Sequence, residues 1–231
     1  MIKRIRHTVI MAAGRGQRMM PATSYLPKAM LPFFESTLVA TGIDKIRPHI
    51  DNIHVTVGYK GAMLASHLIE HEVTSIHNTD GQTNSWWIHN TLLRCIDEPV
   101  FVLTCDNVTD IDFAELAKDY FALREPPCLM VPVAPVEGLD GDYIFHDGPV
   151  ITELSRTKVA PTYGSGIQVL NPARVAALTS GRGDFGDVWS ELIQQRQMYV
   201  SRVQPEKWYS VDTLEHLERC AERMGSSATS S

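Results

Sequence analysis

The chain has 231 residues, enough for one α/β domain with a sizeable core. Its 27 acidic residues outnumber 21 basic ones for a formal net charge of −6, and no basic stretch interleaved with aromatics stands out, which argues against a nucleic-acid partner. No apolar run approaches membrane-spanning length, and the four cysteines (Cys95, Cys105, Cys128, Cys220) form no C-x-x-C pair, so membrane insertion, thiolate metal sites and disulfide frameworks are set aside and a cytoplasmic setting is expected.

Lys3, Arg4 and Arg6 precede an apolar run too short for a signal peptide. That run, Thr8–Met11, is predicted to be a buried first strand. It empties into Ala12-Ala13-Gly14-Arg15-Gly16-Gln17-Arg18, with Pro27-Lys28 a few residues on. Glycines let backbone N–H groups approach phosphate oxygens closely, and Arg18 and Lys28 supply positive charge where a triphosphate would sit. The spacing does not fit the Walker A loop. Gly14 and Gly16 open the dinucleotide fingerprint, but Met19 stands where its third glycine belongs.

A helix is predicted over 36–47, stopped by Pro48, then a β-branched strand over 53–57 and a helix over 62–72. A strand over 73–76 leads through Asn78 and Gln82 to a helix over 85–95, with Asn84 or Ser85 as its cap. A helix N-terminus suits an anion or the polar edge of a base.

Val100–Thr104 reads as a central buried strand, followed at once by Cys105-Asp106-Asn107. Ligands of open parallel sheets bind beyond the carboxyl ends of the strands, so Asp106 is placed to hold a hard cation such as magnesium, or else to cap a turn with Asn107. Asp112 caps a helix reaching about Arg124. This alternation predicts a mostly parallel sheet with helices on both faces.

Beyond Pro126 strands prevail: 129–133, 143–145, 150–154 and 166–170. They predict a smaller antiparallel portion where an acceptor could lie. Arg156 and Lys158 fit an acceptor phosphate or a solvated basic edge. Helices are predicted over 184–196 and 212–224 with a strand over 198–203 between them. Trp189 fits either a cation–π contact or the buried face of its helix. Asp212, with Glu215 three residues on, reads as the N-cap of a capping box. Residues 1–224 are read as a single domain, 1–125 binding a nucleotide and 126–224 its acceptor, and 225–231 as a flexible tail.

The segment Met11-Ala12-Ala13-Gly14-Arg15-Gly16-Gln17-Arg18 through Pro27-Lys28 resembles the signature of the sugar-phosphate and alkyl-phosphate nucleotidyltransferases, L-A-A-G-x-G-x-R followed by P-K. The likeness extends over nearly the whole chain and is greatest to the bacterial branch that includes phosphocholine cytidylyltransferase. It implies a Rossmann-like nucleotidyltransferase fold and transfer of a nucleotidyl group from an NTP, with CTP favoured, to a phosphorylated small molecule or sugar 1-phosphate. Pyrophosphate would be released, and the product would serve cell-surface polysaccharide synthesis.

The resemblance also assigns roles. Ala12, Ala13, Gly14, Arg15, Gly16 and Gln17 would hold the nucleotide together with Asn78, Gln82 and Asn84. Arg18, Lys28 and Asp106 would be catalytic, and Asp106 and Asp212 would share a magnesium ion. Asn107, Arg156, Lys158, Gly166 and Trp189 would border the acceptor. Two departures are visible. Trp87 stands where a small serine is usual, and Ser155-Arg156-Thr157-Lys158 replaces the usual Glu-Lys-Pro. A homo-oligomer is compatible with the family. A catalytically silent nucleotide-sugar-binding module and an NAD-dependent oxidoreductase are the competing readings. The first is opposed by the presence of both aspartates, Arg18 and Lys28, and the second by the missing glycine.

Overall fold

In the computed structural model, residues 3–136 and 138–220 are described. The expected tail over 225–231 and the end of the helix expected over 212–224 lie outside them. The elements run β1 (His7–Met11), β2 (Pro32–Phe33), β3 (Ser36–Thr37), α1 (Leu38–Ile46), β4 (Asn52–Val57), α2 (Gly61–Glu70) and β5 (Ser75–Asn78). They continue with α3 (Trp87–Asn90), β6 (Val100–Thr104), β7 (Asn107–Asp110), α4 (Phe113–Ala122), β8 (Cys128–Val133), β9 (Tyr143–Asp147) and β10 (Val150–Ser155). Last come β11 (Tyr163–Leu170), α5 (Pro172–Leu178), α6 (Phe185–Gln194), β12 (Met198–Val200) and β13 (Lys207–Ser210).

Nine strands form one sheet in the order β5-β4-β1-β6-β11-β8-β12-β10-β9. The block β5-β4-β1-β6 is parallel throughout, and β11 and β10 are the strands that run against their neighbours. The far end curls until Tyr143 of β9 pairs with Tyr163 of β11. This is the mixed, mainly parallel α/β architecture that the alternating pattern predicts.

Side chains alternate across the sheet, so successive residues feed two cores. Ile10, Val55 and Leu103 pack under α1, α2 and α4, while Val9, Val100 and Val102 pack against α3, α5 and α6. A third, smaller cluster of Met19, Leu31, Phe33, Leu38, Val108 and Val211 ties the loop after β1 to β7 and β13. Among the described residues, no helix is long and apolar enough to cross a membrane.

Three expectations need correction. The helix over 85–95 is broken: after α3, Thr91 turns extended, and its hydroxyl accepts from Leu93 N–H to start a separate 3₁₀ turn, Leu92–Cys95. A threonine hydroxyl can replace the helical partner in this way. Helix α5 was not expected, although Asn171 as its cap and Pro172 in its first turn are a readable start signal. The third concerns Asp212. The helical stretch at 214–220 is capped by Thr213, whose hydroxyl accepts from His216 N–H, leaving the Asp212 carboxylate for other partners.

Candidate active site

The loop after β1 crosses the carboxyl ends of the parallel block and is pinned on both sides. Ala12 N–H donates to Thr56 at 3.1 Å, and Tyr59 N–H donates to Ala13 at 3.1 Å. Gly16 has φ +59°, and a Cβ built there would lie 2.8 Å from Lys28 Cβ, so this glycine leaves room for the lysine stem. A Cβ at Gly14 would meet nothing within 4 Å, so that position looks onto open space. The Arg15 guanidinium stands 5.3 Å from the Tyr59 ring centroid, and Tyr59 donates its hydroxyl proton to Thr23.

Asp106 sits in the turn from β6 into β7. The short antiparallel ribbon of β7 and β13 pairs Asn107 with Ser210 and Val108 with Tyr209. Directly after it, Val211 N–H donates to the Asp106 carbonyl at 2.9 Å. This ribbon carries Asp212 to the side of Asp106.

Lys28 Nζ donates to Asp106 Oδ2 at 2.7 Å and to Asp212 Oδ1 at 3.2 Å. Arg18 Nη2 lies 3.0 Å from the same Asp212 oxygen, and Ser210 Oγ donates to Asp212 Oδ2 at 3.0 Å. Burial works against the Lys28 charge, but Asp106, Cys105 and Asp212 more than offset it and hold its pKa above the usual lysine value. Burial works against the Asp212 charge in the same way, and Lys28, Arg18 and Ser210 bring its pKa below the usual carboxylate value. The two carboxylates therefore already converge on one cation, the lysine ammonium. Hard oxygen donors in this arrangement fit magnesium, which takes one or two carboxylates and completes its shell with phosphate oxygens and water. Among the described residues, no group of three or more His, Cys, Asp or Glu residues is placed to hold a metal unaided.

These residues line a cleft of about 770 Å³. Its walls include Ala13, Gly14, Arg15, Gly16, Gln17, Arg18, Lys28, Gln82, Asn84, Asp106 and Asp212, all singled out from the sequence. Ala12 lies beneath, buried, as the loop's anchor. The loop at 79–85 is fixed from outside: Thr83 and Ser85 hydroxyls donate to the Gly183 carbonyl, and Asn84 Oδ1 accepts from Phe185 N–H at 2.9 Å.

Other expected residues are placed elsewhere. Asn78 lines the neighbouring surface pockets instead, and its side chain accepts from Asp80 N–H to shape the turn. Arg156 pairs with Asp142, and Lys158 with Glu153, on the β9–β10 side of the sheet, and neither lines the cleft. Trp189 packs against the second core and donates its Nε1–H to Gln168, so the buried-face alternative is the one the structure adopts. Asn107 Nδ2 donates to the Ser165 carbonyl, and Gly166 (φ +82°) packs so tightly there that a Cβ would come 2.8 Å from that nitrogen.

Sequence reasoning missed Thr79, Asp80, Thr83 and Thr104, which also line the cleft. Asp80-Gly81 after a strand is a turn signal that could have pointed to Asp80.

A model of the MobA-like NTP transferase domain matches residues 8–228. Among curated proteins, the bifunctional protein GlmU of Methanocaldococcus jannaschii is 24% identical over 115 residues, 50% of this chain and 28% of that protein. The mannose-1-phosphate guanyltransferase of Candida albicans is 23% identical over 207 residues, 83% of this chain and 57% of that one. The chain thus spans between about a quarter and three fifths of the length of these relatives. Among solved structures, the CTP:phosphocholine cytidylyltransferase from Streptococcus pneumoniae (LicC) superposes with a TM-score of 0.74 at 17% identity, covering 96% of this chain and 100% of that one. At that identity the superposition establishes the fold. With the family model spanning nearly the whole chain, the protein belongs to the MobA-like NTP transferase domain family, a family of nucleotidyltransferases.

Proposed function

We propose that the protein transfers a nucleotidyl group from CTP to a phosphorylated small molecule, in the manner of the phosphocholine cytidylyltransferase branch, and releases pyrophosphate. The observation that carries this is the convergence of Asp106 and Asp212 on Lys28 Nζ at the mouth of the Gly14–Arg18 loop. On this reading the first part of the chain, 1–125, together with Asp212 binds the nucleotide, and the rest of 126–224 serves the acceptor.

An oxygen of the acceptor phosphate attacks the α-phosphorus. A new P–O bond forms as the bond to the bridging α–β oxygen breaks, and pyrophosphate leaves with that electron pair. The acceptor phosphate is already anionic, so no protein base is required. Catalysis then rests on positioning and on charge stabilisation. Backbone N–H groups of the Gly14–Arg18 loop hold the β- and γ-phosphates, and Arg18 and Lys28 move from the carboxylates onto the developing pyrophosphate. Asp106 and Asp212 would hold a magnesium ion, which neutralises phosphate charge when bound.

The base sits over the 79–84 loop. Asp80, a carboxylate in the cleft wall, accepts from an exocyclic amino group and repels a carbonyl. It favours cytosine over uracil and thymine. The same carboxylate would also accept from the amino groups of guanine and adenine, so GTP and ATP are the next nucleotides to test. The product class feeds cell-surface polysaccharide assembly. Pyrophosphate release measured across CTP, GTP, UTP, ATP and dTTP with phosphocholine, other small phosphate esters and sugar 1-phosphates tests this reading. Release with CTP and a small phosphate ester supports it, and release confined to sugar 1-phosphates with another nucleotide overturns the substrate assignment.

A further inference from the structure

The turn from β4 into α2, Gly58-Tyr59-Lys60, lies against the loop after β1. Tyr59 N–H donates to the Ala13 carbonyl at 3.1 Å. A Cβ built on Gly58 would come 2.7 Å from that same carbonyl oxygen, so glycine is what permits the approach. Tyr59 does not line the cleft, yet its side chain reaches the loop again. Its hydroxyl donates to the Thr23 carbonyl at 3.0 Å, and the buried Thr23 donates its own hydroxyl proton to the Gly16 carbonyl at 3.0 Å. Its ring carries the Arg15 guanidinium, 5.3 Å from the centroid.

Arg15 differs in this from the other cations of the cleft. Lys28 and Arg18 are engaged by carboxylates. Arg15 is exposed on the cleft wall and makes no hydrogen bond or ion pair among the described residues, so the Tyr59 ring is what holds it. Lys60 Nζ stands 5.5 Å from the same centroid but lines a separate surface pocket, so Arg15 is the one of the pair that faces the cleft. A free arginine samples many rotamers, and a ligand that fixes it must overcome that entropy. A guanidinium held over an aromatic face is already restrained, and its planar fork of N–H groups stays available for phosphate oxygens.

We propose that Tyr59 is a positioning residue for the polyphosphate of the incoming nucleotide: its ring holds Arg15 at the cleft wall with the guanidinium N–H groups free, and Arg15 meets the phosphates from there. The hydroxyl has a separate, structural duty, tying down the segment between Arg18 and Lys28 through Thr23. This role rests on the reading of the cleft as a nucleoside triphosphate site and not on the choice of CTP.

The test is calorimetric titration of the full chain, in magnesium, with CTP, GTP and inorganic triphosphate. Tyr59→Phe keeps the ring and should bind all three as the wild type does. Tyr59→Leu removes the ring and should weaken all three by about two- to fivefold, the size of an exposed cation–π contact. In an Arg15→Gln background, Tyr59→Leu should weaken binding no further, because the ring then has no guanidinium to hold. Equal weakening in both backgrounds would make Tyr59 a support of the fold alone and overturn the proposal, as would a loss in Tyr59→Phe as large as in Tyr59→Leu. Weakening for the nucleotides but not for inorganic triphosphate would overturn the assignment of Arg15 to the phosphates. GTP bound more tightly than CTP would overturn the base assignment above, while the same Tyr59→Leu loss still supported this role. No binding of any probe by the wild type would overturn both. If Tyr59→Leu fails to fold, the Arg15 side-chain NMR signals of the wild-type chain decide. They should be shielded by the ring current and stay shielded with inorganic triphosphate bound, and unshielded signals would overturn the role.

Discussion

Lys28 Nζ donates to Asp106 Oδ2 at 2.7 Å across 78 positions of sequence. The bond joins the loop after the first strand to the turn after the central one. On the proposed reading a metal ion takes the lysine's place between the two carboxylates, so substrate entry exchanges one cation for another. If Lys28 follows the leaving pyrophosphate as proposed, Lys28→Ala should lower turnover by about 10²–10³-fold, the usual cost of one lost oxyanion donor. Steady-state pyrophosphate release measures it, and a loss below tenfold would detach Lys28 from the chemistry.

Asp212 and its neighbour Thr213 have separable duties. Thr213→Ala removes the hydroxyl that accepts from His216 N–H and should cost about 0.5–2 kcal/mol of stability with turnover retained. Asp212→Asn should abolish metal-dependent turnover. Urea melts beside rate measurements distinguish the two, and equal stability loss without rate loss in Asp212→Asn would return Asp212 to a capping role.

Gly16 and Gly14 should respond oppositely to alanine. At Gly16 the backbone is left-handed and a Cβ would strike the Lys28 stem, so Gly16→Ala strains the loop by about 1–2 kcal/mol and displaces the lysine. Gly14→Ala meets no protein atom and should leave the melting temperature unchanged, while obstructing the phosphates that the proposed mechanism brings there. Calorimetric titration with CTP reads both, and nucleotide affinity unchanged in Gly14→Ala would place the phosphates elsewhere.

A chain of imidazoles crosses the parallel block. His7 Nδ1 lies 3.1 Å from His54 Nε2, His54 Nδ1 lies 2.7 Å from Ser75 Oγ, and that oxygen lies 2.7 Å from His77 Nε2. Burial, then the neighbouring His7 and His77, lower the His54 pKa from 6.5 to about 4. The unfolded imidazole takes up its proton near pH 6.5 and the folded one only near 4, so stability falls as pH drops through that window and levels off below it. The full loss is about 3 kcal/mol at 1.36 kcal/mol per pKa unit. His7 and His77 are lowered as well and act in the same direction. Denaturant melts at pH 7.5 and 4.5 should show the drop, reduced in His54→Gln, and a flat profile would contradict it.

How much of this was legible in the sequence depends on how local each feature is. The strands β1, β4 and β6 announce themselves as short apolar runs, and the Gly14–Lys28 segment lies within a few turns of chain. The ribbon of β7 and β13 does not, because its strands are four residues each, lack an alternating pattern and pair across about a hundred positions. Without it nothing in spacing alone joins Asp212 to Asp106. Asp212 and Thr213 are both good caps, so only geometry could decide between them. Trp189 was ambiguous for a similar reason: one face of a Trp serves a core as well as a ligand, and the amphipathic helix it rides on turns that face inward. Arg156 pairs with Asp142 beside the start of the neighbouring strand, which composition cannot foresee, and Lys158 folds back onto Glu153 of the strand it follows.

The most direct test of the central claim is pyrophosphate release by the wild-type protein and Asp106→Ala, with and without magnesium, in the presence of CTP and a panel of small phosphate esters and sugar 1-phosphates. The account predicts release that requires magnesium and one nucleotide–acceptor pair, abolished in a folded Asp106→Ala. Wild-type rates in that variant, or release that persists after metal is chelated, would contradict it.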